Sequence, residues 1–158
     1  MRKQIITNAA PERGRPEAEW LDLEHISQVE VSSEEAEHPI ESALIPGSGL
    51  GWRAAAAGEQ TIRLLFDQPQ KISRIRLQFN EQQGGERTQE FVLSWSPADA
   101  RNHREIVRQQ YNFSPPAVTD ELEDYFVNLE GVAALDLRII PDISGGQACA
   151  SLAQFRVA

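Results

Sequence analysis

Residues 62–79 read IRLLFDQPQKISRIRLQF. Ile62, Leu64 and Phe66 alternate with other residues, and Ile75, Leu77 and Phe79 alternate with Arg74, Arg76 and Gln78. A period of two marks a strand with one face on a core. Between the two halves lies Asp67-Gln68-Pro69-Gln70, which has turn chemistry. The expectation is a strand, a tight polar turn and a second strand. The arginines then stand as solvated partners on the open face of an antiparallel sheet.

The same pattern extends along the chain after Gln60. Alternation and β-branched or aromatic content predict strands near 60–67, 71–79, 88–95, 103–109, 123–128, 133–140 and 149–157. Phe91, Leu93 and Trp95 alternate, as do Leu135, Leu137 and Ile139. Gly-Gly at 84–85 and 145–146, Pro97, Pro-Pro at 115–116 and Pro141 punctuate the intervals. Short, regularly punctuated strands predict an all-β sandwich or barrel. A helical turn within 98–109 is the local competitor.

Upstream, residues 1–18 read as a flexible N-terminal arm, polar and proline-bearing, and 19–158 as the β-sandwich domain. The segment ALIPGSGLGWRAAAAGEQ carries glycines at 47, 49 and 51, which argue against a long helix. GSGLGW lacks the full spacing of a dinucleotide fingerprint.

Composition narrows the partners. The chain has 158 residues and a net charge of −9, with 24 acidic against 15 basic side chains. That balance excludes general nucleic-acid binding, which relies on cations neutralising phosphates, and disfavours an anionic membrane surface. Cys149 is the only cysteine, so no intramolecular disulfide and no cysteine-based zinc site can form. The first twenty residues hold no apolar stretch of signal-peptide length. The expected setting is cytoplasmic, with an extracellular one open if a leader has been removed.

Several segments taken in order resemble a discoidin or coagulation-factor type C domain. They are Gly51-Trp52, then QTIRLLFDQPQKISRIRLQF, then the closing ASLAQFRVA. The resemblance implies an antiparallel jelly-roll β-sandwich that is galactose-binding-domain-like. It also implies a binding module, since that family includes carbohydrate-, lipid- and protein-binding members. Many members hold a structural calcium through an early aspartate-rich loop and a glutamate in the closing strand. Here the loop is ESALIPGSGLGW, without aspartate, and Gln154 stands at the closing position. No metal and no cofactor are therefore expected.

Alternating strand directions would bring loops 44–59, 80–87, 110–122 and 141–148 to one end, and 68–70, 96–102 and 129–132 to the other. The first set is longer and richer in functional side chains, as binding loops are. A sugar needs planar polar groups for its hydroxyls and an apolar surface for its C–H face. The ligand-binding candidates are Arg53, Glu81, Arg87, Tyr111 and Asn112. Each has a plainer role: solvation or pairing with an acidic neighbour for the arginines, a surface position for Glu81, turn stabilisation for Asn112, core capping for Tyr111. Trp52 reads as a core plug and Trp95 as core.

No catalytic constellation emerges. His25, His38 and His103 are scattered, no serine sits in a nucleophile elbow, and Glu121-Leu122-Glu123-Asp124-Tyr125 reads as a solvated strand face. The expected function is a non-catalytic module that binds carbohydrate through loops at one end of the sandwich. The alternative is a protein–protein interaction module.

Overall fold

The computed structural model describes residues 20–82, 84–98 and 102–158; the predicted arm at 1–18 lies outside them. Two single helical turns, α1 (Leu23–Ile26) and α2 (Glu41–Leu44), accompany eight strands. These are β1 (Ser27–Val31), β2 (Trp52–Ala57), β3 (Gln60–Asn80), β4 (Arg87–Pro97), β5 (Arg104–Phe113), β6 (Asp120–Ile140), β7 (Cys149–Leu152) and β8 (Gln154–Val157). The result is an antiparallel jelly-roll β-sandwich. None of the described helices is long and apolar enough to cross a membrane.

β3 and β6 form the spine. The first half of β3 lies between β1 and the second half of β6, which in turn pairs with β4 and, through it, β5. The second half of β3 lies between β8 and the first half of β6. Phe79, on the second half of β3, stacks on Phe91 of β4 with ring centroids 5.3 Å apart. That contact closes one leaf of the sandwich on the other. Ile62, Leu64, Leu93, Leu137 and Phe155 belong to the same buried cluster.

The predicted tight turn at 68–70 is instead a bend. β3 runs through it without reversing on itself, and its register with β6 shifts between Leu65 and Arg74. Pro69 offers no N–H, so it suits a place where the ladder is interrupted. Likewise the predicted strands 123–128 and 133–140 are one element, β6, and the predicted 149–157 divides into β7 and β8, which pair with β2 and β3 respectively. The region 104–113 is strand, not helix, because it pairs along the whole of β4 from Trp95–Arg104 to Arg87–Phe113.

Two surface expectations are overturned. Arg74 is not solvated: it is 2% exposed, and its Nε and Nη2 each lie 3.2 Å from the Asp124 carboxylate. Arg76 shares that carboxylate at 2.8 Å, and both guanidinium groups sit against the Trp20 ring. Burial opposes ionisation of Asp124, but the two arginines hold its carboxyl below the ordinary carboxylate range. Glu121 is 2% exposed rather than solvated. It stands opposite Phe79 in the ladder and so shares Phe79's inward face, whereas Leu122 and Asp124 point outward.

The two sets of loops do separate to opposite ends. At one end Gln70 and Pro97 both pair with Val132. At the other, Gly58 N–H bonds Ala148 O, Glu81 N–H bonds Thr119 O and Ile143 N–H bonds Thr88 O.

Candidate functional site

This second end holds a cleft of about 350 Å³, lined by His38, Leu50, Trp52, Arg53, Asn80, Gln82 and the 151–153 turn. Its floor is core. Trp52 is buried and donates its indole N–H to Ser33 O at 3.0 Å, as a core plug with a satisfied polar tip. Alternation along β2 then turns Arg53 outward.

Backbone hydrogen bonds set His38 beside Arg53. Arg53 N–H donates to His38 O at 3.1 Å, and Glu35 N–H donates to Arg53 O at 2.9 Å. The rim is supplied by the glycine loop. Gly51 has φ +96°, and a Cβ there would lie 2.7 Å from Leu152 O. Only glycine permits both the dihedral and the approach. The loop is thus pressed onto the 152–153 turn, and Leu50, next to it, is left 89% exposed. GSGLGW therefore serves close backbone packing.

On the opposite wall, Asn80 and Gln82 are exposed while Glu81 between them is buried. The cause is parity: Glu81 continues the inward face of Leu77 and Phe79. Among the described residues, no hydrogen bond or ion pair occupies the side chains of His38, Arg53, Asn80 or Gln82.

The five residues singled out from sequence divide. Arg53 lines the cleft. Glu81 and Arg87 are 1% and 8% exposed, with Arg87 Nη2 at 2.8 Å from Glu81 Oε2. That contact is an ion pair off hydrogen-bond alignment. Ser151 Oγ–H closes the other Glu81 oxygen, and Arg87 Nε donates to Pro141 O at 3.0 Å. Arg87 also lies 5.4 Å from the Phe113 ring centroid. Tyr111 and Asn112 were expected in a loop but belong to β5. The Tyr111 hydroxyl donates to Asp120 O at 2.6 Å, its ring meets Phe113 edge-on, and Asn112 Oδ1 accepts from Thr88. Four of the five candidates thus hold the loop end together.

A separate polar group lies between the leaves. Gln89 is fully buried, and its Nε2 reaches Glu121 Oε1 at 3.4 Å. Burial first, and the adjacent Glu123 carboxyl second, push the Glu121 pKa up to about 8. Elsewhere, Asp22, Glu24 and His25 converge at the surface, all exposed. His25 Nδ1 lies 2.7 Å from Asp22 Oδ2, which raises the imidazole pKa.

No family model matches the chain, and no curated protein matches it by sequence. Solved structures do. A family 32 carbohydrate-binding module from Clostridium perfringens NanJ, in complex with galactose, superposes with a TM-score of 0.60 at 15% identity, over 87% of this chain and 96% of that one. The C-terminal domain of a chitobiase from Bacteroides fragilis gives 0.62 at 17% identity, over 88% and 96%. A pectin-binding carbohydrate-binding module gives 0.59 at 17%, over 84% and 89%. At such identities the likeness establishes the fold alone, an antiparallel jelly-roll β-sandwich.

Proposed function

We propose that this chain is a non-catalytic carbohydrate-binding module whose ligand sits in the cleft of His38, Leu50, Arg53, Asn80 and Gln82. The observation that carries the reading is the set of unoccupied planar polar side chains around an exposed apolar one. A paired polar group is already satisfied by the protein, whereas these side chains have no protein partner among the described residues and are open to a ligand. A pyranose ring offers hydroxyls to the amides and the guanidinium, and its C–H face to Leu50. Similarity in fold to modules described with galactose and with pectin supports the reading. The kinship with discoidin and coagulation-factor type C domains belongs to the same proposal, supported by the order of the matching segments.

The rival reading, a protein-interaction module, has less behind it. Among the described residues the exposed large apolar side chains are Leu50, Val118, Leu122, Phe126 and Ile143. Only Leu122 and Phe126 share a strand face, and Asp124 divides them. A broad apolar patch would be expected of a protein-docking surface.

A glycan array probed with the purified chain tests the proposal, followed by Arg53→Ala and Asn80→Ala on any hit. Binding that survives both substitutions in folded protein removes the cleft from the reading.

A further inference from the structure

The chemistry of the lining goes beyond carbohydrate in general. The chain as a whole is acidic, with 24 carboxylate side chains and a net charge of −9. Yet among the described residues no aspartate or glutamate lines the cleft, while Arg53 and His38 do. The carboxylate nearest in sequence to the amide wall is already paired. Glu81 sits in sequence between two cleft residues, but its carboxylate faces inward and is held by Arg87 and Ser151. Glu35 meets Arg53 through the backbone, its amide bonding the Arg53 carbonyl.

This matters because a neutral sugar hydroxyl is both donor and acceptor. A site for neutral sugars is best served by charged acceptors that take the hydroxyl protons, since charge-assisted bonds are the strong ones. Here the acceptors are the amide oxygens of Asn80 and Gln82. The Ser151 hydroxyl donates its hydrogen bond to Glu81, which leaves its oxygen as a further neutral acceptor. Charge lies only on the donor side: the guanidinium fork of Arg53 only donates, whereas the two amides and the imidazole each offer both donor and acceptor. A planar fork with no carboxylate partner matches a planar anion held by two parallel bonds.

We infer that the ligand of this cleft is a saccharide bearing a ring carboxylate, as uronic and sialic acids do, with Arg53 as the residue that receives the carboxylate. The inference rests on the carbohydrate-binding reading above. Leu50 takes the C–H face of the ring, and Asn80 and Gln82 take hydroxyls from the opposite wall. The cleft volume of about 350 Å³ is that of a small-ligand site.

The test uses the full chain, ¹⁵N-labelled, titrated with trigalacturonate, trimannuronate and 3′-sialyllactose. Each is compared with its carboxyl methyl ester, which keeps the ring and removes the charge. The expected result is that at least one acid shifts the amide resonances of residues 50–53 and 80–82. Its ester should bind tenfold or more weakly, and Arg53→Gln should erase the difference between acid and ester. If an ester, or neutral trigalactose, binds the cleft as tightly as the acids, the inference fails while the carbohydrate reading stands. If acid and ester lose affinity equally in Arg53→Gln, Arg53 is not the carboxylate's partner and the inference fails again. If neither these probes nor a glycan array yields any saccharide that shifts these resonances, both readings fall together.

Discussion

The loop end of the sandwich contains two polar groups that meet at residues 80–82, and they are built in opposite ways. On one side Glu81, Arg87 and Ser151 consume one another's charges and protons in near-complete burial, with Tyr111 and Thr88 bonded alongside. On the other side His38, Arg53, Asn80 and Gln82 stand around a cleft with no side-chain partner among the described residues. The boundary between the two runs along residues 80–82, where strand alternation sends successive side chains to different sides. Parity thus separates Glu81 from Asn80 and Gln82, while arginine occurs on both sides, paired at Arg87 and without a side-chain partner among the described residues at Arg53. An arginine in a binding loop is no sign of a site until its partner is known.

The sharpest way to break this contrast is Glu81→Ala. It leaves the Arg87 guanidinium buried without its carboxylate, and breaking a buried ion pair in this way costs about 3–5 kcal/mol. Urea denaturation should show that loss as a lower midpoint, with saccharide affinity of the remaining folded fraction unchanged. A loss of affinity without a loss of stability would mean that Glu81 reaches the ligand.

The converse substitution is Arg53→Ala. Stability should change by no more than about 0.5 kcal/mol, as for a surface side chain without partners. Affinity for any saccharide bound in the cleft should fall about tenfold to a hundredfold, the worth of a hydrogen bond to a charged group. Isothermal titration calorimetry and thermal melting on the same preparation read both quantities. A strongly destabilised Arg53→Ala would place Arg53 with the mortar.

How much of this was legible in the sequence follows the same line. The alternation of Ile62, Leu64, Phe66 and of Ile75, Leu77, Phe79 reveals the strands, because the core demands it. It does not reveal that Asp67–Gln70 is a bend between leaves, since a bend and a hairpin use the same polar, proline-bearing chemistry. The inward aim of Glu81 was readable: it lies two residues beyond Phe79, on the face already assigned to the core. The same count marks Asn80 and Gln82 as outward. His38 and Leu50 carried no such signal. His38 reaches the cleft through hydrogen bonds among Glu35, His38 and Arg53, and Leu50 through the press of Gly51 on Leu152 O. Both depend on contacts between distant segments. The burial of Glu121 was hidden for a related reason: ELEDY alternates as an exposed strand would, and the facing leaf decides which side is inside.

That buried carboxyl supplies a pH handle on the interior alone. The pKa of Glu121 rises from the ordinary 4.5 to about 8 in the folded chain, so between those values the folded state keeps a proton that the unfolded chain has lost. Stability from this group is fully present below about pH 4.5 and declines as pH rises toward 8. Asp124 works in the opposite sense: its carboxyl is held below the ordinary range, so its contribution fades only in stronger acid. Melting temperature should therefore fall from pH 5 to pH 8, and Glu121→Gln should flatten that fall. A wild-type melting temperature that climbs over the same interval would show that Glu121 is ionised in the fold.

The smallest expected effect is the most discriminating for the boundary itself. Tyr111 has the residue type of a sugar-stacking platform, and it sits beside the loops that form the cleft. In the structure its hydroxyl is spent on Asp120 O and its ring on Phe113, at a centroid distance of 4.9 Å. Tyr111→Phe removes one hydrogen bond and leaves the aromatic contact, so the cost in stability should be about 1 kcal/mol. The affinity of the cleft for its saccharide should not move. Tyr111→Ala should cost more stability, because the edge-on pairing with Phe113 goes as well, and should again spare affinity in the folded fraction. Both variants can be followed by the same chemical-shift titration as Arg53→Gln. If Tyr111→Ala weakens the saccharide while Tyr111→Phe does not, the ring itself touches the ligand. The binding surface would then extend across the 80–82 boundary onto β5, and the division between paired and unpaired side chains would cease to mark where the sugar sits.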